Sequence, residues 1–287
     1  MSPGWSGALL TTLALIAFAA NSVICRAALG GGAIDAAGFT AIRLLAGAAV
    51  LSALRAGSGR PPRGGREVVQ PAMLLLYAAA FSFAYLSLSA GTGALLLFGA
   101  VQSTMILAGL RSGERFGISE ALGLVLALCG LGWLVAPGLA APSAAGAALM
   151  VMAGVAWGIY SLRGRGSRDA LGDTARNFAL ASIPGLVLGA VSLGGGQPTL
   201  KGIGLAVLSG AITSGLGYVV WFAALRRLTA IRAAIVQLPV PALTAVGGVV
   251  ILSEPVSWRL VLSSVMILGG VAAAIAGPAR GSGRRRD

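Results

Sequence analysis

From residue 7 to residue 277 the sequence is a succession of apolar runs, each about 20 residues long and divided by short polar or glycine-rich breaks. That length matches a helix crossing the hydrocarbon core of a bilayer, and a chain that repeats it so often has one suitable solvent, the membrane. Only 10% of the residues are charged and 57% are hydrophobic, with a mean hydropathy of +0.90. Soluble domains carry about 25% charged residues, and no single core could hide the apolar remainder of this chain. The 44 glycines suit helices that pack backbone to backbone in lipid.

The runs predict spans over 7–28, 35–54, 70–90, 92–110, 117–136, 144–163, 175–194, 202–224, 231–252 and 258–277. The sharpest break is the Gly-, Pro- and Arg-rich stretch from Arg55 to Gln70, and the weakest is Ser87 to Thr92. The first 25 residues contain neither Lys nor Arg. They lack the basic region of a secretory leader, so the first span is expected to be retained.

A net charge of +13 would suggest nucleic acid in a soluble protein. Here its distribution argues for orientation in a membrane, and no nucleic-acid partner is expected. Seventeen of the 21 basic residues fall in the loops after even-numbered spans or in the tail, and three (Arg26, Lys201 and Arg259) fall in the others. Arg43 alone lies deep within a span, the others falling between spans or close to span ends. The positive-inside rule then places both termini in the cytoplasm, and residues 281–287 are expected to be a disordered cytoplasmic tail. The two cysteines, Cys25 and Cys129, lie in apolar runs and form no disulfide framework or metal spacing.

The halves of the chain also resemble each other. Ala17-Phe18-Ala19-Ala20-Asn21-Ser22 aligns with Ala156-Trp157-Gly158-Ile159-Tyr160-Ser161 at an offset of 139, and Arg26/Arg165 and Phe39/Phe178 keep that offset. Gly113-Glu114-Arg115 aligns with Ser253-Glu254-Pro255 at 140, as do Gly130 and Gly270. The repeats are 1–139 and 140–280. A repeat of five spans is odd, so the second copy enters the membrane inverted, the arrangement of many secondary transporters.

These residues resemble the drug/metabolite transporter superfamily, in the branch with two EamA-type repeats. The resemblance is carried by the Phe18 segment ending at Arg26, Phe39-x-x-x-Arg43, Gly113-Glu114-Arg115, Trp157 with Tyr160, Gly217-Tyr218-x-x-Trp221-x-x-Ala224-Leu225, and Pro241 with Glu254-Pro255 thirteen residues on. It implies ten helices around a central cavity, with spans five and ten peripheral. It further implies transport of metabolites, often amino-acid export, in a bacterial inner membrane, with a homodimer through the peripheral helices. The family usually has a proline in span four at the place matching Pro241. This chain has Val101 there, followed by Gln102, which removes the usual cause of a break in that span.

Polar groups at membrane depth are expensive and mark candidate sites. Arg43 either faces the solute, where a permanent cation suits a carboxylate, or has a structural role, snorkelling outward or pairing with helix-end carbonyls to hold spans together. Asn21, Gln102 and Gln237 either line the solute path or bond neighbouring helices. Pro239 and Pro241 interrupt the ladder of their span and form a candidate helix break or gate. Tyr85, Trp157 and Tyr218 are expected to wall a cavity. Tyr160 and Trp221, close to Arg163 and Arg226, fit an interfacial aromatic belt. Glu114 and Glu254 are expected to cap the helices that follow them.

No Asp, Glu or His lies in the middle of a span. Proton-coupled carriers place such a group in the path, so uncoupled transport is expected. The same absence argues against an enzyme, a metal site or a cofactor. The expected activity is facilitative transport of a small organic solute such as an amino acid. The alternatives are a drug or other-metabolite carrier, or a membrane scaffold with no solute path.

Overall fold

A computed structural model describes residues 3–58, 67–113, 117–135, 142–191 and 197–276. Glu114, Arg115 and the tail 281–287, named above, lie outside the described residues. Within the described residues all regular structure is helical: α1 (Pro3–Leu29), α2 (Ala36–Gly57), α3 (Val69–Ala84), α4 (Ala90–Arg111), α5 (Ile118–Val135), α6 (Ala144–Gly164), α7 (Ala170–Val191), α8 (Leu200–Leu208), a π-helical segment (Ser209–Leu216), α9 (Gly217–Leu225), α10 (Ala230–Val236), α11 (Val240–Leu252) and α12 (Trp258–Ala276). Seven stretches are long and apolar enough to cross a membrane: Gly7–Leu29, Ala36–Gly57, Ala90–Arg111, Ala144–Gly164, Ala170–Val191, Leu200–Leu225 and Ala230–Leu252. Val69–Ala84, Ala121–Gly130 and Trp258–Gly270 are shorter apolar helices. Large apolar side chains such as Ile183, Val250 and Val265 face outward, as lipid allows. The chain is an all-α, multi-pass membrane protein.

Helix starts follow from side chains that satisfy free backbone N–H groups. Asp35, Ser89, Ser143, Thr199 and Thr229 accept from Gly38, Thr92, Gly146, Gly202 and Arg232 respectively. Two boundaries differ from expectation for this reason. The Ser89 cap starts α4 at Ala90, and α3 has already ended at Ala84, so the turn sits earlier than Ser87–Thr92. Asp169 accepts from the Gly172 N–H at 3.1 Å, so α7 starts at Ala170, and Arg176 lies within it rather than in the preceding loop.

The ninth run is broken: α10 ends at Val236, a turn spans Gln237–Pro239, and Pro239 precedes α11. Proline lacks the N–H that would continue the ladder. Across Val101–Gln102, where no proline stands, α4 is continuous.

Helices α5 and α12 pack along each other and touch the remainder lightly. In the rest of the molecule α2 packs on α7, α3 and α4 pack on α6, and α1 packs on α9 and α11. The π segment lies across α2 at its closest approach. There a β-carbon on Gly210 would fall 2.8 Å from the carbonyl carbon of Arg43, and one on Gly47 would fall 2.9 Å from the Gly210 carbonyl oxygen. Small residues let two backbones meet in lipid, and here they bring Arg43 against the widened turn.

Candidate functional site

The closest polar network in the interior forms around Arg43. The residue is buried, 1% exposed, so it does not snorkel, and it joins α2 to α3, the π segment and α9 through side chains rather than helix-end carbonyls. Nε donates to Ser214 Oγ at 2.9 Å; Nη2 donates to Tyr218 Oη at 2.8 Å and to Tyr77 Oη at 3.3 Å. Nη1 has no partner. The rings of Tyr77 and Phe81 stand 5.1 and 5.2 Å from the guanidinium carbon, close enough for cation–π attraction. Every group that bonds this cation is neutral.

Asn21 of α1 joins the same network. Its Oδ1 accepts from Ser209, Thr213 and Ser214 at 2.7, 3.0 and 3.3 Å, and its Nδ2 reaches Tyr77 Oη at 3.5 Å. The three hydroxyls come from the π segment, where a widened turn brings Ser209, Thr213 and Ser214 to one side. Such π turns recur at functional sites.

Aromatic rings close over this polar centre. Trp157 lies 4.6 Å from Tyr218 and 5.1 Å from Tyr77, and Phe18 meets Trp157 edge-on at 5.2 Å. Trp157 Nε1 donates to Gln237 Oε1 at 3.2 Å, and Gln237 Nε2 donates to the Ala233 carbonyl at 2.8 Å. The side chain of Gln237 thus ties the broken ninth run to the aromatic centre.

Five of the seven expected binding residues therefore converge: Asn21, Arg43, Trp157, Tyr218 and Gln237. Gln102 is buried with its amide nitrogen unpartnered, and no hydrogen bond links it to the network. Pro241 is buried at the start of α11, and Pro239 is exposed in the turn before it.

Tyr85 belongs elsewhere. Its hydroxyl donates to the Ala90 carbonyl at 3.3 Å, and its own carbonyl accepts from Arg26 at 2.9 Å. Arg26 pairs with Glu254 at 3.0 Å, and Glu254 also accepts from the Ala90 N–H at 2.9 Å. Glu254 therefore caps α4, not the helix that follows it, because the turn at Ser253 (φ 55°) directs it there. This cluster joins the end of α1, the α3–α4 turn and the α11–α12 connection. A separate pair, Arg55–Asp169 at 2.9 Å, ties the end of α2 to the start of α7.

Tyr160 and Trp221 do not form an interfacial belt. Both are fully buried, with Trp221 donating to Ser161 at 3.2 Å and Tyr160 5.2 Å from Phe222. Tyr77, Ser209, Thr213 and Ser214 are the members of the centre that sequence reasoning passed over. Ser209, Thr213 and Ser214 do form a polar stripe over about two and a half helical turns before Tyr218, which is the signal that could have found them.

The chain resembles known proteins along most of its length. The model of the EamA-like transporter family matches residues 144–276. A Pseudomonas aeruginosa protein, "Uncharacterized protein PA1977", is 53% identical over 274 residues, covering 93% of this chain and 94% of that one. An "Uncharacterized transporter" of Archaeoglobus fulgidus is 28% identical over 190 residues, covering 64% and 67%. A solved crystal structure matches with a TM-score of 0.67 at 19% identity, over 92% of this chain and 98% of that one, a likeness of fold. The family match in the second half, the relative along nearly the whole chain and the helical membrane fold lead to one conclusion: the chain belongs to the EamA-like transporter family of the drug/metabolite transporter superfamily, and is a membrane transporter rather than an enzyme.

Proposed function

We propose that this chain is a facilitative secondary transporter that exports amino acids or similar small metabolites by alternating access. The observation that carries the reading is the buried Arg43, held only by neutral groups among rings from α1, α3, α6 and α9. A scaffold gains nothing from a cation with an idle donor at that depth, whereas a carrier can use one. Asn21, Arg43, Gln102, Trp157, Tyr218 and Gln237 would meet the solute, and Tyr85 would act from the adjacent Arg26–Glu254 cluster. The break at Pro239 and Pro241 would let α10 and α11 move separately.

In this reading ten spans form two inverted halves, 1–139 and 140–280. Several structural features support that symmetry. Phe18 and Trp157, matched at an offset of 139, touch. Gly113 and Ser253, matched at 140, both have left-handed backbone, φ 82° and 55°, next to the ends of α4 and α11. The packing of α4 on α6 has its counterpart in α11 on α1. We place both termini in the cytoplasm of a bacterium, with the chain in its inner membrane. The lightly attached α5–α12 pair would be where a second copy docks.

The central network contains no carboxylate, which supports transport without proton coupling. Flux of radiolabelled amino acids and carboxylates into proteoliposomes tests this. The expected result is uptake down the solute gradient that an imposed pH gradient leaves unchanged. Strong stimulation by the pH gradient, or no flux of any solute, would refute the reading.

A further inference from the structure

We propose that the central site recognises a carboxylate monoanion through Arg43 and sets a like charge against an ammonium group beside it, so that deaminated carboxylates bind more tightly than the corresponding amino acids. This rests on the transport reading above and narrows its solutes from amino acids to carboxylates that lack an ammonium group.

The anion half of the argument is the idle edge of the guanidinium. Nε and Nη2 are occupied by Ser214, Tyr218 and Tyr77, while Nη1 is buried and unpartnered. The cation–π contacts and three hydroxyls hold the fork in place before any ligand arrives. A carboxylate meeting Nη1 makes a charge-assisted hydrogen bond with a donor that is already oriented. It also neutralises a buried charge that the protein leaves uncompensated. The ion pairs Arg26–Glu254, Arg55–Asp169 and Arg163–Glu67 each involve other arginines, so none supplies the counter-charge for Arg43.

The ammonium half rests on the charge of Arg43 and on the acceptors beside it. An ammonium carries three donors and needs acceptors, a negative charge or an open ring face, and the Tyr77 and Phe81 rings already face the Arg43 guanidinium. Asn21 Oδ1 has two lone pairs and already accepts from Ser209 and Ser214, with Thr213 shared between it and the Ser209 carbonyl. Gln237 Oε1 accepts from the Trp157 indole. Burying an ammonium beside the Arg43 cation would add like-charge repulsion to desolvation. A doubly charged phosphate ester would need a second cation, which the network lacks. The surrounding rings of Phe18, Trp157 and Tyr218 suit an apolar or aromatic body.

The test uses the purified full-length chain in detergent, with 3-phenylpropionate, 3-phenylpropionamide, phenylalanine and phenethylamine as probes, read by thermal stabilisation against concentration. We expect 3-phenylpropionate to bind about tenfold or more tighter than its neutral amide, the equivalent of one charge-assisted hydrogen bond. Phenylalanine should bind more weakly than 3-phenylpropionate, and phenethylamine should not bind. Arg43→Met should remove the preference for acid over amide, and Arg43→Lys should keep part of it. The wild-type comparison of acid with amide decides the matter even if neither variant folds. Equal binding of acid and amide, tighter binding of phenylalanine, or no binding by a series of aliphatic and aromatic carboxylates would overturn the proposal. Flux of neutral or zwitterionic solutes in proteoliposomes would then leave the transport reading standing; absence of all flux would remove both.

Discussion

Replacing Gly210 with alanine is expected to destabilise the protein by about 3 kcal/mol or more, the upper end of what overpacking costs. A β-carbon there would fall 2.8 Å from the carbonyl carbon of Arg43 and 2.9 Å from its Cα, and closer still to its oxygen. These are backbone atoms of α2, so no side chain can turn aside to make room. Relief requires α2 and the π segment to separate, and that would pull Ser214 away from Arg43. The matched control is Gly204→Ala in α8, where nothing lies within 4 Å of the added carbon. Alanine is favoured over glycine in a helix by about 1 kcal/mol, so this control should be neutral or slightly stabilising. Melting of the two purified variants in detergent, compared with the parent, checks both expectations.

Arg43→Met is expected to reduce transport by about tenfold or more while leaving stability unchanged or improved. The two halves of that expectation have different causes. A buried ion without a counter-charge costs several kcal/mol, and an apolar side chain of similar volume removes that cost. Against it stands the loss of partners for Tyr218 Oη, about 1–3 kcal/mol for a buried hydroxyl left unpaired. Ser214 keeps its bond to Asn21, and Tyr77 keeps its longer contact with Asn21 Nδ2, so the damage is limited. Removing the buried charge outweighs that loss, and the fold should be at least as stable. Flux falls because the preorganised donor is gone. Melting in detergent beside proteoliposome flux separates this outcome from that of a purely structural arginine, whose removal would lower both together.

Much of this architecture could be read from the sequence, because lipid imposes a length and polarity on each span that single residues cannot disguise. Arg43 stood out for the same reason: a cation inside an apolar run is conspicuous. The absence of a proline at Val101 and its presence at Pro239 and Pro241 foretold a continuous α4 and a broken ninth run. What stayed hidden depends on tertiary placement. Tyr77 sits in an apolar run and reads as core until α2 brings Arg43 beside it. The π segment leaves no mark on hydropathy, and it becomes intelligible only once Gly210 is seen against the α2 backbone. Tyr85 reads as a cavity aromatic inside the expected span 70–90 because the turn after α3 falls earlier than the weak signal at Ser87–Thr92 suggests. Tyr160 and Trp221 looked interfacial because nearby arginines mark a membrane boundary along the chain, but not which face of the helix meets lipid.

The central claim is that the Arg43 network lies on a path open in turn to each face of the membrane. Ser214, fully buried beside Arg43, is the place to test it. A Ser214→Cys variant, made with Cys25→Ala and Cys129→Ala, can be exposed to a membrane-impermeant thiol reagent from one side of sealed vesicles and then from the other. Alternating access predicts modification from both sides. A thiol that reacts from neither side, or from one side only, while a cysteine placed in a surface loop reacts normally, would contradict it.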